Sequence, residues 1–532
     1  MRAASRRCWK SRRATHGSRS SHVGIDAEAH LPDAIAARVR DRLESFAREH
    51  VVERMWRGDH TVWKPDPREI ANRLGWLRAP EWSAEQMPGL EQLRDELLGE
   101  GFTDLLLMGM GGSSLAAAVL ATLGAREEGL RFHLLDSTNP EEIAALEARL
   151  DLARTFFLVA SKSGTTIETR CHLAYFHSRV PEPRQFAAIT DAGTPLAHLA
   201  AELGFRRVLL NPADIGGRYS ALSYFGLAPA VLCGVRAEPI LEAAAAMARS
   251  CRAAPDANPG AWLGAVLGES ALAGRDKLHL LLPEDAAPFG AWVEQLVAES
   301  TGKEGRGILP VLENGLPPRE EGWADRVVAA HGRPFPSLPA AVPQVQLPAV
   351  EHTPRLGAEF FRWEFATAVA GRVLGINPFD QPNVQEAKDA TAAVLEGRLS
   401  PAQAEPLADV VRAAGPGWYV ALLAWVSETD EHVSRLEAAA DALRARTGCP
   451  VTIGFGPRYL HSTGQLHKGG SDRGAFIQVV APRTCDLPVP GERFTFGQLF
   501  DAQADGDLAS LRARGRRVAR VTLDELERFL GG

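Results

Sequence analysis

Cysteine is scarce in this chain, with six in 532 residues. Cys8, Cys171, Cys233, Cys251, Cys449 and Cys485 stand far apart with no C-x-x-C pair, a spacing that argues against a zinc site or a disulfide framework and fits a reducing cytoplasm. Long apolar runs are missing too. The alanine-rich stretch 243–248 is short and flanked by Glu242 and Arg249, well below the ~18 uncharged residues that cross a bilayer, so no membrane partner is expected. Nor is there an excess of basic residues. With a formal net charge of -7 and a pI near 6.1, the chain offers no positive stripe to nucleic acid and points to small-molecule partners. The exception is the start, where Arg2, Arg6, Arg7, Lys10, Arg12, Arg13 and Arg19 precede the first acid, Asp26. Residues 1–25 lack the apolar face of a transit peptide and read as a disordered basic tail.

Hydrophobic residues make up 45% of the chain, enough for two or three cored units of ~100–200 residues each. Apolar residues at helical spacing from Pro32 to Val52 lead into a Pro-broken stretch with Trp56, Trp63, Trp76 and Trp82. Together they predict a helical N-terminal extension over 26–100 that packs on the body rather than forming its core. Short apolar runs at 105–108, 132–135, 156–159, 186–189 and 208–210 alternate with helical patterns, which predicts a parallel sheet wrapped by helices over 101–235. A helical connection at 236–275 leads to a second α/β unit at 276–460, with strands expected at 278–282, 308–311, 345–347, 419–426 and 451–454. Residues 315–319 and 333–343 read as Pro-rich loops and 436–446 as an exposed helix. The remainder, 461–532, reads as a C-terminal extension in which Arg512 to Arg517 decorate a solvated helix face.

The densest chemistry lies at 157–170, where an apolar run turns abruptly into Ser161, Lys162, Ser163, Gly164, Thr165 and Thr166. A phosphate dianion needs several donors converging without bulk, and a helix starting here would add free backbone N–H groups. The same residue types cap helices, so taken alone the stretch fits a plain strand-to-helix N-cap better. Upstream, Gly109-Met110-Gly111-Gly112-Ser113 ends a strand in a glycine turn without the G-x-G-x-x-G spacing of a dinucleotide site, which disfavours NAD. Ligands of open parallel sheets gather beyond the carboxyl ends of the strands, so Gly112, Ser113 and the Ser161 loop are expected to face one cavity. Gly216-Gly217-Arg218-Tyr219 sets a guanidinium beside exposed backbone; its partner is either a ligand anion or a structural carboxylate. In the helical pattern at 292–303, Gln295 and Glu299 share a face at i, i+4, a spacing that on most helices marks solvated surface.

In that order, G-x-G-G-S, S-K-S-G-T-T-x-E-T, G-G-R-Y-S-x-L-S and Q-x-x-x-E-S-x-G-K resemble the glucose-6-phosphate isomerase family, and Ile376-Asn377-Pro378-Phe379-Asp380-Gln381 through Val384 is similar to its I-N-x-F-D-Q-x-x-V segment. His60 to Pro67 and Gly456 to Gln465 are similar to the isomerase half of fused transaldolase/glucose-6-phosphate isomerase proteins; no transaldolase half is expected. The resemblance implies an α/β fold of two SIS-type αβα sandwich domains with parallel sheets, plus helical N- and C-terminal extensions. It implies reversible isomerisation of glucose 6-phosphate and fructose 6-phosphate through a cis-enediol, with no cofactor and no metal. Ser161, Lys162, Ser163 and Thr166 then belong to the phosphate loop, with Gly112 and Ser113 beside it, and Gly217 and Gln295 contact substrate. Glu299 falls on the base that moves a proton between C2 and C1, and Arg218 on the residue that steadies the enediolate.

One role departs from the family pattern. The family's ring-opening histidine precedes the I-N-x-F-D-Q segment, where this chain has only His331 and His352, neither in the expected context. His461, in Leu460-His461-Ser462-Thr463-Gly464-Gln465, has the context but follows the landmark; it is preferred over His352, while His467 reads as a hydrogen-bonded loop residue. Lys468 is the candidate for the family's C-terminal lysine near the ring oxygen. A homodimer is expected, because family sites resemble assemblies completed across a subunit interface. Two other readings share these motifs: a catalytically silent sugar-phosphate sensor, which needs the loop but not the base, and an isomerase that also accepts mannose 6-phosphate.

Overall fold

Continuous apolar runs build the first sheet. Leu105, Leu106, Leu107 and Met108, like Phe156, Phe157, Leu158 and Val159, are fully buried, as strands covered on both faces must be. In the computed structural model, which describes residues 20–21, 27–312, 320–333, 338–351, 354–399 and 402–531, five parallel strands run in the order Arg131–Leu135, Asp104–Gly109, Thr155–Ala160, Phe186–Asp191, Arg207–Asn211. Asp104–Gly109 comes first in the chain, and the later strands are laid down on either side of it. It meets Thr155–Ala160 at the switch point where ligands of such sheets gather. Gly109 pairs with Ala160, so the glycine turn and the hydroxyl loop leave the sheet side by side.

A second sheet is ordered Ser20–Ser21, Glu28–His30, Gln344–Leu347, Arg326–His331, Lys277–Leu281, Leu309–Val311. The last four strands are parallel, and the first two add an antiparallel edge. Ser20–Ser21 is thus a paired part of the expected basic tail, while 1–19 and 22–26 lie outside the described residues. Arg326–His331 goes unread in the sequence because a buried arginine and a buried histidine bracket its short apolar run.

The end of the chain corrects the sequence reading. Tyr419–Trp425 and Val451–Phe455 do not join the second sheet. They form a third, wholly parallel one ordered Val451–Phe455, Tyr419–Trp425, Gly474–Val480, Arg517–Thr522. Residues 461–532 therefore supply half of another α/β unit rather than an extension. Gln478, Arg517 and Arg520 interrupt the apolar pattern of its last two strands. Gln478 is nonetheless fully buried and donates to the Ala504 carbonyl at 2.9 Å. The helix Phe496–Ala513 buries Phe496, Leu499, Phe500, Leu508 and Leu511 along one face, while Arg512, Arg514 and Arg517 stay partly exposed at its end as expected. Arg516 turns inward to the carbonyls of Lys468, Gly470 and Ser471. The expected exposed helix, Asp430–Thr447, buries Leu436, Ala439, Ala440 and Leu443 along one stripe.

The N-terminal helices also belong to the core. Asp33–Arg48 buries Ile35, Val39, Leu43 and Phe46, and its Arg38 and Arg42 reach the buried Glu269 at 2.8 and 2.7 Å. Trp63 and Trp76 lie inside the largest apolar cluster, where Trp63 donates its indole N–H to the Ala368 carbonyl at 2.7 Å. No helix among the described residues is long and apolar enough to cross a membrane.

Candidate active site

The carboxyl ends of the first sheet open onto a cavity of about 470 Å³ lined by the glycine turn, the hydroxyl loop, the Gly217–Tyr219 turn, the Ala287–Thr301 helix, the start of the Pro382–Leu395 helix and His461. Two glycines make this convergence possible. Gly111 has φ +53°, and its Cβ would meet the Gln295 amide and the His461 backbone. A Cβ on Gly112 would overlap the backbone of Gly217 and Arg218.

At one end, Lys162, Ser163 and Thr166 line the cavity with Ser113 and Thr194. Thr166 holds the N-cap position of the Ile167–Arg179 helix, yet its side chain makes no capping bond. Its hydroxyl pairs instead with that of Ser161 at 3.0 Å, while Ser163 and Thr165 pair at 2.9 Å. The helix start is left without the side-chain cap that a plain N-cap would supply, which suits an incoming anion. Lys162 donates to Asp191 at 2.5 Å and to the Ala213 carbonyl at 2.9 Å, so it frames the loop as well as lending charge. Burial pushes the Asp191 carboxyl up, against the pull of Lys162.

At the other end, Glu299 is 4% exposed, which overturns the solvated-surface reading of its helix. It accepts from the Gln295 amide at 3.1 Å and lies 3.3 Å from the Arg218 guanidinium. Arg218 is pinned on every side, donating to Ser300 at 2.7 Å, the Gln381 side chain at 2.8 Å, and the carbonyls of Pro378 and Asp380 at 2.7 and 2.8 Å. Lys303, one turn beyond Glu299, donates to the Asn377 carbonyl and lies 2.7 Å from the Asp380 carboxylate. Burial, with Arg218 nearby, brings its ammonium down to about 7. A carboxylate held beside a fixed, water-excluded cation is an arrangement that can move a proton and stabilise the oxyanion that results.

His461 lines the same cavity and donates through Nε2 to Glu168 at 2.9 Å, a buried carboxylate that also accepts from Gln503 at 2.7 Å. Burial pushes the Glu168 carboxyl up, but His461 and its hydrogen bond outweigh that and hold it at about 2. A carboxylate that fixes one ring nitrogen leaves the other free to exchange protons. Glu168 sits in the quoted T-T-x-E-T string, but no role was read for it. Lys388 and Gln381 were missed likewise, although both line the cavity. Lys388 lies four residues past Val384, on the same helix face, so i, i+4 spacing from the landmark was the available signal.

Two site candidates, Ser161 and Lys468, stand apart from the lining, as do His331 and His467. Ser161 is buried behind the loop and reaches the cavity only through Thr166. Lys468 is not part of the lining; its ammonium bonds Asp507 at 2.5 Å in a buried pair, and Tyr459 donates to the same carboxylate at 2.6 Å. That placement corrects the expectation of a lysine near the substrate. His331 is buried in the second unit, bonding the Pro348 carbonyl and the Trp363 indole, and His467 pairs with Tyr419 at 3.0 Å. His352 lies outside the described residues.

Solved structures share this fold of parallel α/β sheets. A hypothetical protein from Thermus thermophilus superposes with a TM-score of 0.57 at 23% identity, over 69% of this chain and 99% of that one. A glucose-6-phosphate isomerase from Chlamydia trachomatis gives 0.57 at 18% identity, over 70% and 89%. The phosphoglucose isomerase family model matches residues 95–306. A probable glucose-6-phosphate isomerase of Methanococcus maripaludis is 24% identical over 351 residues, 56% of this chain and 80% of that protein. Glucose-6-phosphate isomerases of Rubrobacter xylanophilus and Geobacter sp. strain M21 are 27% and 30% identical, covering 60% and 52% of this chain, and 88% and 56% of their own lengths.

Proposed function

We propose that the chain interconverts D-glucose 6-phosphate and D-fructose 6-phosphate by proton transfer between C2 and C1. The observation that carries this reading is Glu299, a buried carboxylate facing the cavity that also contains Ser163, Thr166 and His461. The phosphate binds at the hydroxyl loop and the start of the Ile167–Arg179 helix, remote from the reacting carbons, so its binding energy orients C1 and C2 against the base. His461, held by Glu168, exchanges a proton with the ring oxygen to open the sugar. Glu299 then takes the C2 proton and returns it to C1 through a cis-enediol. Arg218 offsets the charge that develops on the enediolate; its four protein acceptors keep it in place without reorganisation. Gln295 and the Gly112 and Gly217 backbones bound the sugar.

Assembly as a symmetric homodimer in the cytoplasm belongs to the same proposal. The groups named above all come from one chain, so a dimer is not required to bring them together. Conversion of fructose 6-phosphate in a coupled assay, run beside Glu299→Gln, tests the reading. Turnover in the parent that collapses in the variant supports it. A parent that binds sugar phosphate without turning it over would make the protein a sensor instead.

A further inference from the structure

Beside the catalytic cavity lies a larger one of about 810 Å³, which the proposed reaction leaves unused. Both volumes fall in the ~300–1,000 Å³ range of small-molecule sites. The two cavities share Val384, Lys388 and His461. The three carboxylates that line the larger chamber are each paired: Glu168 with His461 and Gln503, Glu492 with Arg170 at 3.0 Å, and Glu396 with Arg398. Its two cations, Lys388 and Arg493, make neither a hydrogen bond nor an ion pair among the described residues. Lys388 acts on Glu168, whose other partners are His461 and the neutral Gln503, so with the partner arginines of Glu492 and Glu396 counted the guanidinium of Arg493 is the positive charge left uncompensated.

Arg493 projects from a turn whose backbone is tied down. Val489 is buried in the first unit's apolar cluster, Pro488 bridges Thr495, and the Thr495 hydroxyl donates to Asp486 at 2.6 Å. A guanidinium on an anchored turn, facing a chamber that also presents an ammonium, matches a phosphoryl group. Arginine can engage such a group through two parallel N–H bonds, while lysine adds a point charge.

We propose that this second chamber is an anion site for a small phosphorylated metabolite, and that its occupant slows catalysis through Lys388 and His461, which face both chambers. The effect on rate rests on the isomerase reading; the binding does not. Inorganic pyrophosphate is the probe, titrated calorimetrically into the full chain, into Arg493→Gln, and into a Ser163→Ala/Thr166→Ala variant that weakens the catalytic phosphate loop. The parent should bind two pyrophosphates per chain. Arg493→Gln should weaken one of them about tenfold or more, and the double variant should keep the Arg493-dependent site. In the coupled assay, pyrophosphate should lower kcat and raise KM in the parent. Arg493→Gln, with its basal turnover unchanged, should show only the rise in KM. One pyrophosphate per chain in the parent, or binding and inhibition unaltered by Arg493→Gln, overturns the proposal. If the protein turns over no hexose phosphate, the calorimetric count still decides whether the chamber binds.

Discussion

The two ends of the catalytic cavity are built in opposite ways. The end proposed to hold the phosphate is built mainly from one loop, 161–166, whose hydroxyls bond to one another and whose geometry follows from the strand before it and the helix after it. The end proposed to carry proton transfer draws Arg218, Gln295, Glu299, Gln381, Lys388 and His461 from segments spread over more than two hundred residues, with Arg218, Gln295 and Glu299 each tied to more than one protein partner. Binding is thus a local property of the chain, while chemistry is a property of its tertiary packing. Damage to the first end should weaken affinity, and damage to the second should abolish rate.

The sharpest test is Glu299→Gln, which keeps the shape and the Gln295 contact while removing the base. Loss of general-base catalysis predicts a fall of about 10³ to 10⁴ in kcat, with KM changed little. Near-parental turnover in purified variant would refute the assignment. Lys468→Met should act on the fold instead. Removing one partner of the buried Lys468–Asp507 pair costs about 3–5 kcal/mol, seen as a lower denaturation midpoint, while the molecules that stay folded keep their kcat. A variant that is stable but inactive would return Lys468 to the chemistry.

Arg218→Lys retains charge but not the fork that meets four acceptors, so kcat should fall about 10²- to 10³-fold in the steady-state assay. At the opposite end, Ser163→Ala and Thr166→Ala should each raise KM about 10-fold or somewhat more, reflecting one lost bond to a charged group, with kcat retained. A loss of kcat without a change in KM there would erase the contrast between the two ends.

The smallest effect concerns acid. Glu168 has its folded carboxyl held at about 2, below the usual 4.5, so its contribution to stability is fully present above about pH 4.5 and is lost as pH falls toward 2. His467 acts in the same direction. Burial, with Lys468 beside it, lowers it to about 3 from 6.5, so the unfolded chain binds the extra proton and stability declines as pH drops from 6.5 toward 3. Melting temperatures from pH 7 to pH 3 should therefore fall less steeply in Glu168→Gln than in the parent; equal slopes would show that Glu168 is not held ionised by His461.

What could be read from the sequence follows the same division. The five strands of the first sheet and the loops at their ends appear as uninterrupted apolar runs followed by glycines and hydroxyls, because both signals are local. Glu299 could be read only through family likeness; its i, i+4 spacing with Gln295 suggested surface, and burial came from the packing of other elements around it. The third sheet was misassigned because nothing in Tyr419–Trp425 states which strands it will pair with, and because Gln478 and Arg520 break the pattern of its partners. Lys468 looked like a functional lysine by its neighbours in sequence, whereas its partner, Asp507, lies 39 residues away.

The position of His461 has a consequence for the order in which the molecule matures. Its loop follows Val451–Phe455 and precedes Gly474–Val480, and the sheet that carries it is completed only by Arg517–Thr522. The phosphate loop, by contrast, belongs to a sheet whose last strand is Arg207–Asn211. A polypeptide emerging from the ribosome therefore has the residues proposed to grip a sugar phosphate some three hundred codons before it has the one proposed to open the ring.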